Sequence, residues 1–230
     1  MLSEVPRRRA IQIVGLVIAA VLALATTGVV GYAEAGPQPP SDSSVAAGFA
    51  RDMTDHHAQA VDMATIIGQR THSAEIRTLA TDIALTQTNQ MGQMQGWLSQ
   101  WHLSLGRSGP PMAWMSAGGS GAMMGGSGGD DDAMPAIDPA LLKLLPDGRM
   151  SGLATDAQIN RLRTLPPGRA DVLFLQLMIA HHKAGIAMAQ MAIALTDEPV
   201  VDRLATAMVS GQQGEITQMT QLLQERRATP

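Results

Sequence analysis

The feature that most constrains this chain is a duplication. Phe49-x3-Met53-x2-His56-His57-x5-Met63-Ala64 recurs as Phe174-x3-Met178-x2-His181-His182-x5-Met188-Ala189, with every member displaced by 125 positions. The same offset carries Leu79-Ala80-Thr81 onto Leu204-Ala205-Thr206, Gln87 onto Gln212, and Gln93-Met94 onto Gln218-Met219. No gap is needed across two successive helical patterns, so one unit has been used twice. The unit reads as a helical hairpin. Its first copy spans 45–102, with helices at about Val45–Gln69 and Ala74–His102 and a break at Thr71-His72-Ser73. The second copy spans 169–227, and Asp197 is the expected cap of its second helix, with Pro199 in the first turn. Two hairpins predict an all-α four-helix bundle, with residues 103–154 as the long crossover connection.

The rest of the chain divides around this unit. Arg7, Arg8 and Arg9 precede an uncharged stretch from Ala10 to Ala33, long enough to span a bilayer. The arginines belong on the cytoplasmic side, so the chain beyond Tyr32 is expected outside. Ala33-Glu34-Ala35 also offers a small-x-small cleavage pattern, so residues 1–35 read as a signal peptide or an N-terminal membrane anchor. Residues 36–44 read as a flexible tether. The crossover is rich in Gly, Met and Ser, and its composition predicts no core packing. Thr155-Asp156-Ala157-Gln158 fits a capping box for a short linker helix over 155–165.

Composition removes several chemistries. The chain has no cysteine, which excludes disulfide staples, Cys-type zinc sites and thiol redox work. A net charge of −4 gives no basic face for nucleic acid. What remains is methionine, 16 residues of it, and a repeated histidine pair.

At about 100° per residue, Met53, His56, His57 and Met63 share one helix face, as do Met178, His181, His182 and Met188. On the second helix of each hairpin, Met91 and Met94 share a face with Gln87 and Gln90, and Met208 and Met219 with Gln212 and Glu215. The pattern predicts two quasi-equivalent clusters of thioether and imidazole. Thioether sulfur is soft and suits Cu(I), and imidazole accepts Cu(I) or Cu(II). A di-iron site would need Glu-x-x-His, but Met53 and Met178 stand three residues before His56 and His181. No His-Glu-x-x-His accompanies the histidines, which argues against zinc hydrolysis. Met112, Met115, Met123 and Met124 in the crossover are expected to be exposed and are further candidate ligands. His72 and His102 fall outside the repeat and are expected to face solvent. Trp97 and Trp101 are expected to pack at the hairpin end.

The stretches FARDMTDHHAQAVDMA and FLQLMIAHHKAGIAMAQMA resemble the duplicated signature of domain-of-unknown-function family 305. Met150, Leu153, Ala154, Gln158 and Leu162 are similar to that family's linker helix. The likeness covers about 45–227. It implies a ferritin-like fold, export, and kinship with copper-binding and copper-tolerance proteins that use Met/His sites. Carried over position by position, it implicates Met53, His56, His57, Met63, Met178, His181, His182 and Met188. Thr54 and Asp55 depart from the apolar residues usual before the His pair, which implies unequal sites.

The expectation is therefore an exported copper-binding protein, with Cu(I) preferred and Cu(II) or Ag(I) as other acceptable ions. It would act as a buffer, chaperone or tolerance factor at the outer face of the cytoplasmic membrane, or in the periplasm or secreted. Its partners would be the metal ion, the membrane through the N-terminal segment, and copper-handling envelope proteins. No catalytic turnover is expected. A non-metal interaction module is the alternative, and a metal-oxidising enzyme is disfavoured by the shortage of carboxylates.

Overall fold

The computed structural model describes residues 38–116 and 137–230. The expected signal or anchor segment, Met123 and Met124 lie outside the described residues. The chain separates into two units, Met1–Pro39 and Pro40–Pro230, and the second holds the whole bundle. Its helices are α1 (Val45–Arg70), α2 (Ala74–Gln100), α3 (Asp156–Thr164), α4 (Pro167–Leu195) and α5 (Pro199–Glu225). No strand occurs among the described residues; Leu144 and Met150 form an isolated antiparallel bridge.

Local sequence explains most of the helix ends. Ser44 and Ser73 cap α1 and α2 by accepting from Ala47 N and Ile76 N. Thr155 and Gln158 form the expected capping box of α3. Helix α4 begins at Pro167 rather than Arg169, because a proline at the first position loses no needed N–H. The cap of α5 differs from expectation. Glu198, not Asp197, holds the N-cap position and makes no side-chain cap, while Thr196 Oγ1 accepts from Glu198 N at 3.1 Å.

Helix α1 packs on α2, α4 packs on α5, and the hairpins meet through α1 and α4. The N-terminal half of α1 (Phe49, Met53) shares a core with the C-terminal half of α4 (Met188, Ala192), whereas Met63 and Ile67 share one with Phe174 and Met178. The two inner helices are therefore antiparallel, and α2 runs the same way as α4. A long crossover between co-directional helices is the ferritin-like arrangement. Helix α4 is apolar enough to cross a membrane, but 67% of its most apolar window is buried inside the protein. It is one of the two inner helices of the bundle.

The crossover corrects one expectation. Met112, Met115 and Met150 are buried, at 6%, 7% and 3% exposure, in the core at the α1 N-terminal end. Two residues of α1 explain why a glycine-rich segment packs. The buried carboxylate of Asp52 accepts from Met112 N at 2.6 Å and Trp114 Nε1 at 2.9 Å. Gly48 leaves the space that Trp114 fills, since a Cβ there would lie 2.5 Å from Trp114 Cβ. Trp114 then meets Phe49 edge-on, with centroids 5.9 Å apart. The tether is also held at its end, where Arg51 donates to the Asp42 carbonyl at 3.0 Å and pairs with its carboxylate.

Candidate metal centre

Where α1 crosses α4, the two His pairs of the repeat meet in one layer. His56 and His181 lie ring against ring, with centroids 3.8 Å apart, and His182 is 6.2 Å from His181. All four imidazoles are buried. Gly185 opens the space beside them. A Cβ at that position would lie 2.7 Å from Gln212 Oε1 and 3.4 Å from His56 Cε1. A mid-helix glycine costs about 1 kcal/mol against alanine, so its place here is explained by this close approach.

Three of the rings are oriented through Nε2. His57 Nε2 lies 2.8 Å from Gln90 Oε1, His182 Nε2 lies 2.6 Å from Glu215 Oε2, and His181 Nε2 donates to the His56 carbonyl at 2.9 Å. Among the described residues, Nδ1 of His57, Nδ1 of His182 and both nitrogens of His56 are buried without a well-formed hydrogen bond. The amides of Gln87 and Gln212 add further unpartnered buried polar atoms. Orphaned buried polar atoms are costly, at about 1–3 kcal/mol each, and a cluster of them requires a reason.

Burial keeps His56, His57 and His181 uncharged. It pushes His56 down to about 3, with repulsion from His57 and His182 acting in the same direction and the Ser151 backbone opposing weakly. Burial likewise lowers His57 to about 4, against the hydrogen bond to Gln90. His181 falls well below the usual imidazole range, again mainly through burial, with the other three histidines adding to it. Neutral imidazole is the form that ligates metal.

The methionines are placed differently from the prediction. Ten residues of helix rise about 15 Å, so Met53 and Met63 share a face but not a level. Met53 joins Met188 and Met94 on one side of the histidine layer, and Met63 joins Met178 and Met219 on the other. The 125-residue offset converts one trio into the other. Each trio therefore draws on both hairpins, and one histidine layer lies between them. Met208 is added to the first side, where its repeat counterpart on the other side is Ile83. The crossover methionines Met112, Met115 and Met150 also belong to that side. Met91 is half-buried on α2 and belongs to neither core. His72 and His102 are exposed, and Trp97 stacks on Trp101 at 6.2 Å.

The layer also has a strap. Gln59 donates from Nε2 to the Ala154 carbonyl at 3.0 Å and accepts from Ala154 N at 2.6 Å. Gly152, at φ +78°, lies so close to α4 that a Cβ would meet Ala180 O at 2.9 Å and His181 Cα at 3.1 Å. Sequence reasoning placed Gln90 and Glu215 on the candidate faces but not as partners of the histidines, and it missed Gln59. The signal for the first two was present, because Glu215 stands at Gln90 plus the repeat offset.

The donor set fits a soft metal ion: bare imidazole nitrogens at the centre and uncharged thioethers above and below. Among the described residues no group of three or more His, Cys, Asp or Glu side chains stands ready to hold a metal. A site here therefore has to enlist methionine sulfur. Hydrogen bonds from the far ring nitrogen to carboxylate, amide or carbonyl oxygen are the usual supports of a ligating histidine.

Comparison with known proteins agrees with this architecture. A family model described as domain of unknown function DUF305 matches residues 46–223. A solved DUF305 protein from Streptomyces coelicolor, described as secreted, is 41% identical, with a TM-score of 0.67 over 82% of this chain and 98% of its own. A DUF305 fragment from Deinococcus radiodurans is 30% identical, with a TM-score of 0.58 over 81% and 99%. CopM in its Cu(I)-bound form is 25% identical, with a TM-score of 0.52 over 81% and 97%; its Cu(II)-bound form is 26% identical, with a TM-score of 0.52 over 79% and 97%. No curated protein matches the chain.

Proposed function

The chain belongs to the DUF305 family, and from that footing we propose that it is an extracytoplasmic copper-binding protein that prefers Cu(I). The observation that carries this reading is the layer of four buried imidazoles, three of them lacking a well-formed hydrogen bond at Nδ1 or at both nitrogens, between two methionine trios. CopM, related at about a quarter identity, is known in Cu(I)- and Cu(II)-bound forms, which supports copper as the ion. The neutrality of both thioether and buried imidazole favours the lower charge of Cu(I). The secreted relative and the apolar segment after Arg9 support an address outside the cytoplasm, held at the membrane or released.

Its role is storage and transfer to copper-handling envelope partners rather than turnover. When bound, copper would be held by His56, His57, His181 and His182 together with sulfur from the flanking trios. The chain's own residues would supply the rest: Gln90, Glu215 and the His56 carbonyl orient rings, and the strap at Gly152 excludes water.

Cu(I) titration of the purified protein against a chromogenic chelator tests this. A variant with His56, His57, His181 and His182 all changed to alanine is the comparison. The expected result is tight binding in the native protein and a sharp loss in the variant. Absence of Cu(I) competition by the native protein at micromolar concentration defeats the proposal.

A further inference from the structure

The repeat places the same contact twice and fills it with different chemistry. His57 and Gln90 are 33 residues apart, as are His182 and Glu215, and in each pair Nε2 meets a side-chain oxygen at 2.8 Å and 2.6 Å respectively. An amide oxygen accepts in the first copy and a carboxylate oxygen in the second. Among the described residues, Glu215 is the one carboxylate hydrogen-bonded to a histidine of the layer.

The two oxygens do different things to their rings. A carboxylate only accepts, so His182 donates its Nε2–H to Glu215 and turns Nδ1 away from it. An amide both accepts and donates, so Gln90 can turn and leave His57 free to use either nitrogen. The carboxylate also brings a negative charge into a buried, low-dielectric layer, where His182 is fully buried and Glu215 is 21% exposed. A nearby negative charge favours the more positive state of a bound ion. We propose that Glu215 is a positioning residue that makes the two halves of the layer unequal, fixing His182 with Nδ1 toward the metal and biasing its half toward Cu(II), while Gln90 leaves the His57 half to Cu(I).

This rests on the copper-binding reading, and the experiment separates the two. Cu(I) and Cu(II) affinities, and the midpoint potential of bound copper, are measured for the native protein and for Glu215→Gln, Gln90→Glu and the double exchange. Loss of such a support typically weakens metal binding about 10–100-fold. Glu215→Gln should produce that loss for Cu(II) with a smaller loss for Cu(I), raising the potential by about 59 mV per tenfold change in their ratio. Gln90→Glu should lower the potential, and the double exchange should return it toward the native value. Equal weakening of both ions in Glu215→Gln would show a merely structural contact and overturn the inference. So would an unchanged ratio with Cu(I) binding intact. Should Glu215→Gln fail to fold, a potential unmoved in Gln90→Glu overturns it as well. Failure of the native protein to bind either ion removes the underlying copper reading instead.

Discussion

The imidazole of His181 lies 3.8 Å from that of His56, centroid to centroid, and donates from Nε2 to the carbonyl oxygen of the His56 residue itself. The helix backbone of one repeat thus orients the histidine of the other. The duplication is for this reason more than architectural: the layer exists only when both hairpins are docked. Disturbing the α1–α4 contact should therefore disturb every ligand at once.

The pH dependence of the metal-free protein arises from burial. His56 and His57 titrate at about 3 and about 4 when folded, and His181 is also depressed, against 6.5 for the free side chain. The unfolded chain takes up these protons first, so stability is fully present above about pH 6.5 and falls as pH drops toward 4. The expected cost is on the order of several kcal/mol by pH 4. Thermal melting of the metal-free protein from pH 7 to pH 4 should show this loss, and replacing the four histidines by leucine should flatten it. Unfolding that is flat across this range in the native protein would contradict the buried, neutral assignment. Bound copper should also survive at pH 5, where exposed histidines would release it.

Methionine trios can be separated from core packing by isosteric change. Leucine nearly conserves the volume of methionine, and such swaps usually cost less than about 1.5 kcal/mol each. Changing Met53, Met94 and Met188 together to leucine should keep the helical fold while reducing Cu(I) binding on that side of the layer. The same change at Met63, Met178 and Met219 should act on the other side. Cu(I) stoichiometry by chelator competition checks both, and undiminished binding in either variant would mark that trio as packing alone.

The bundle is legible in the sequence because a gapless offset ties Phe49 to Phe174 and Met94 to Met219, and helical period does the rest. Period reports which face a residue occupies, not its level along the axis. That is why Met53 and Met63 read as one cluster, although they contribute to different trios across the histidine layer. Burial of Met112 and Met115 is hidden for another reason. Composition marks the crossover as unable to build its own core, but not that Asp52 and Gly48 of α1 provide a place for it. The asymmetry of Gln90 and Glu215 is carried by a difference between the two copies, whereas the fold is carried by their identities.

Gly152 tests the strap. Its φ of +78° disfavours any side chain, and a Cβ would approach Ala180 O at 2.9 Å and Ala184 Cβ at 2.6 Å. Backbone oxygen in a helix cannot move aside cheaply, so Gly152→Ala should cost about 3 kcal/mol from left-handed strain and overpacking. Urea denaturation measures the loss. Gly168→Ala, where a Cβ meets nothing within 4 Å, is the control and should be close to neutral.

Asp52 anchors the ordered crossover, and its removal should be felt beyond its own volume. Burial raises its carboxyl above the usual range, opposed by the hydrogen bonds from Met112 and Trp114 and by the charges of Arg107 and Arg51. Arg107 Nε lies 3.0 Å from its Oδ1, so the group is held as part of a charged and hydrogen-bonded knot. Asp52→Ala leaves the Met112 amide and the Trp114 indole N–H buried without an acceptor, at about 1–3 kcal/mol each. It also strips Arg107 of its buried partner, leaving the exposed Asp55 carboxylate to pair with it. The expected outcome is a destabilisation of about 3 kcal/mol or more, of the size seen when one member of a buried pair is removed. Asp52→Asn keeps an acceptor oxygen and should cost less. Chemical denaturation gives the size of the effect, and a red shift of Trp114 emission, read with Trp97 and Trp101 replaced by phenylalanine, shows whether the crossover has left the core. An Asp52→Ala protein with native stability and an unshifted Trp114 would mean that Gly48 and Phe49 alone hold it.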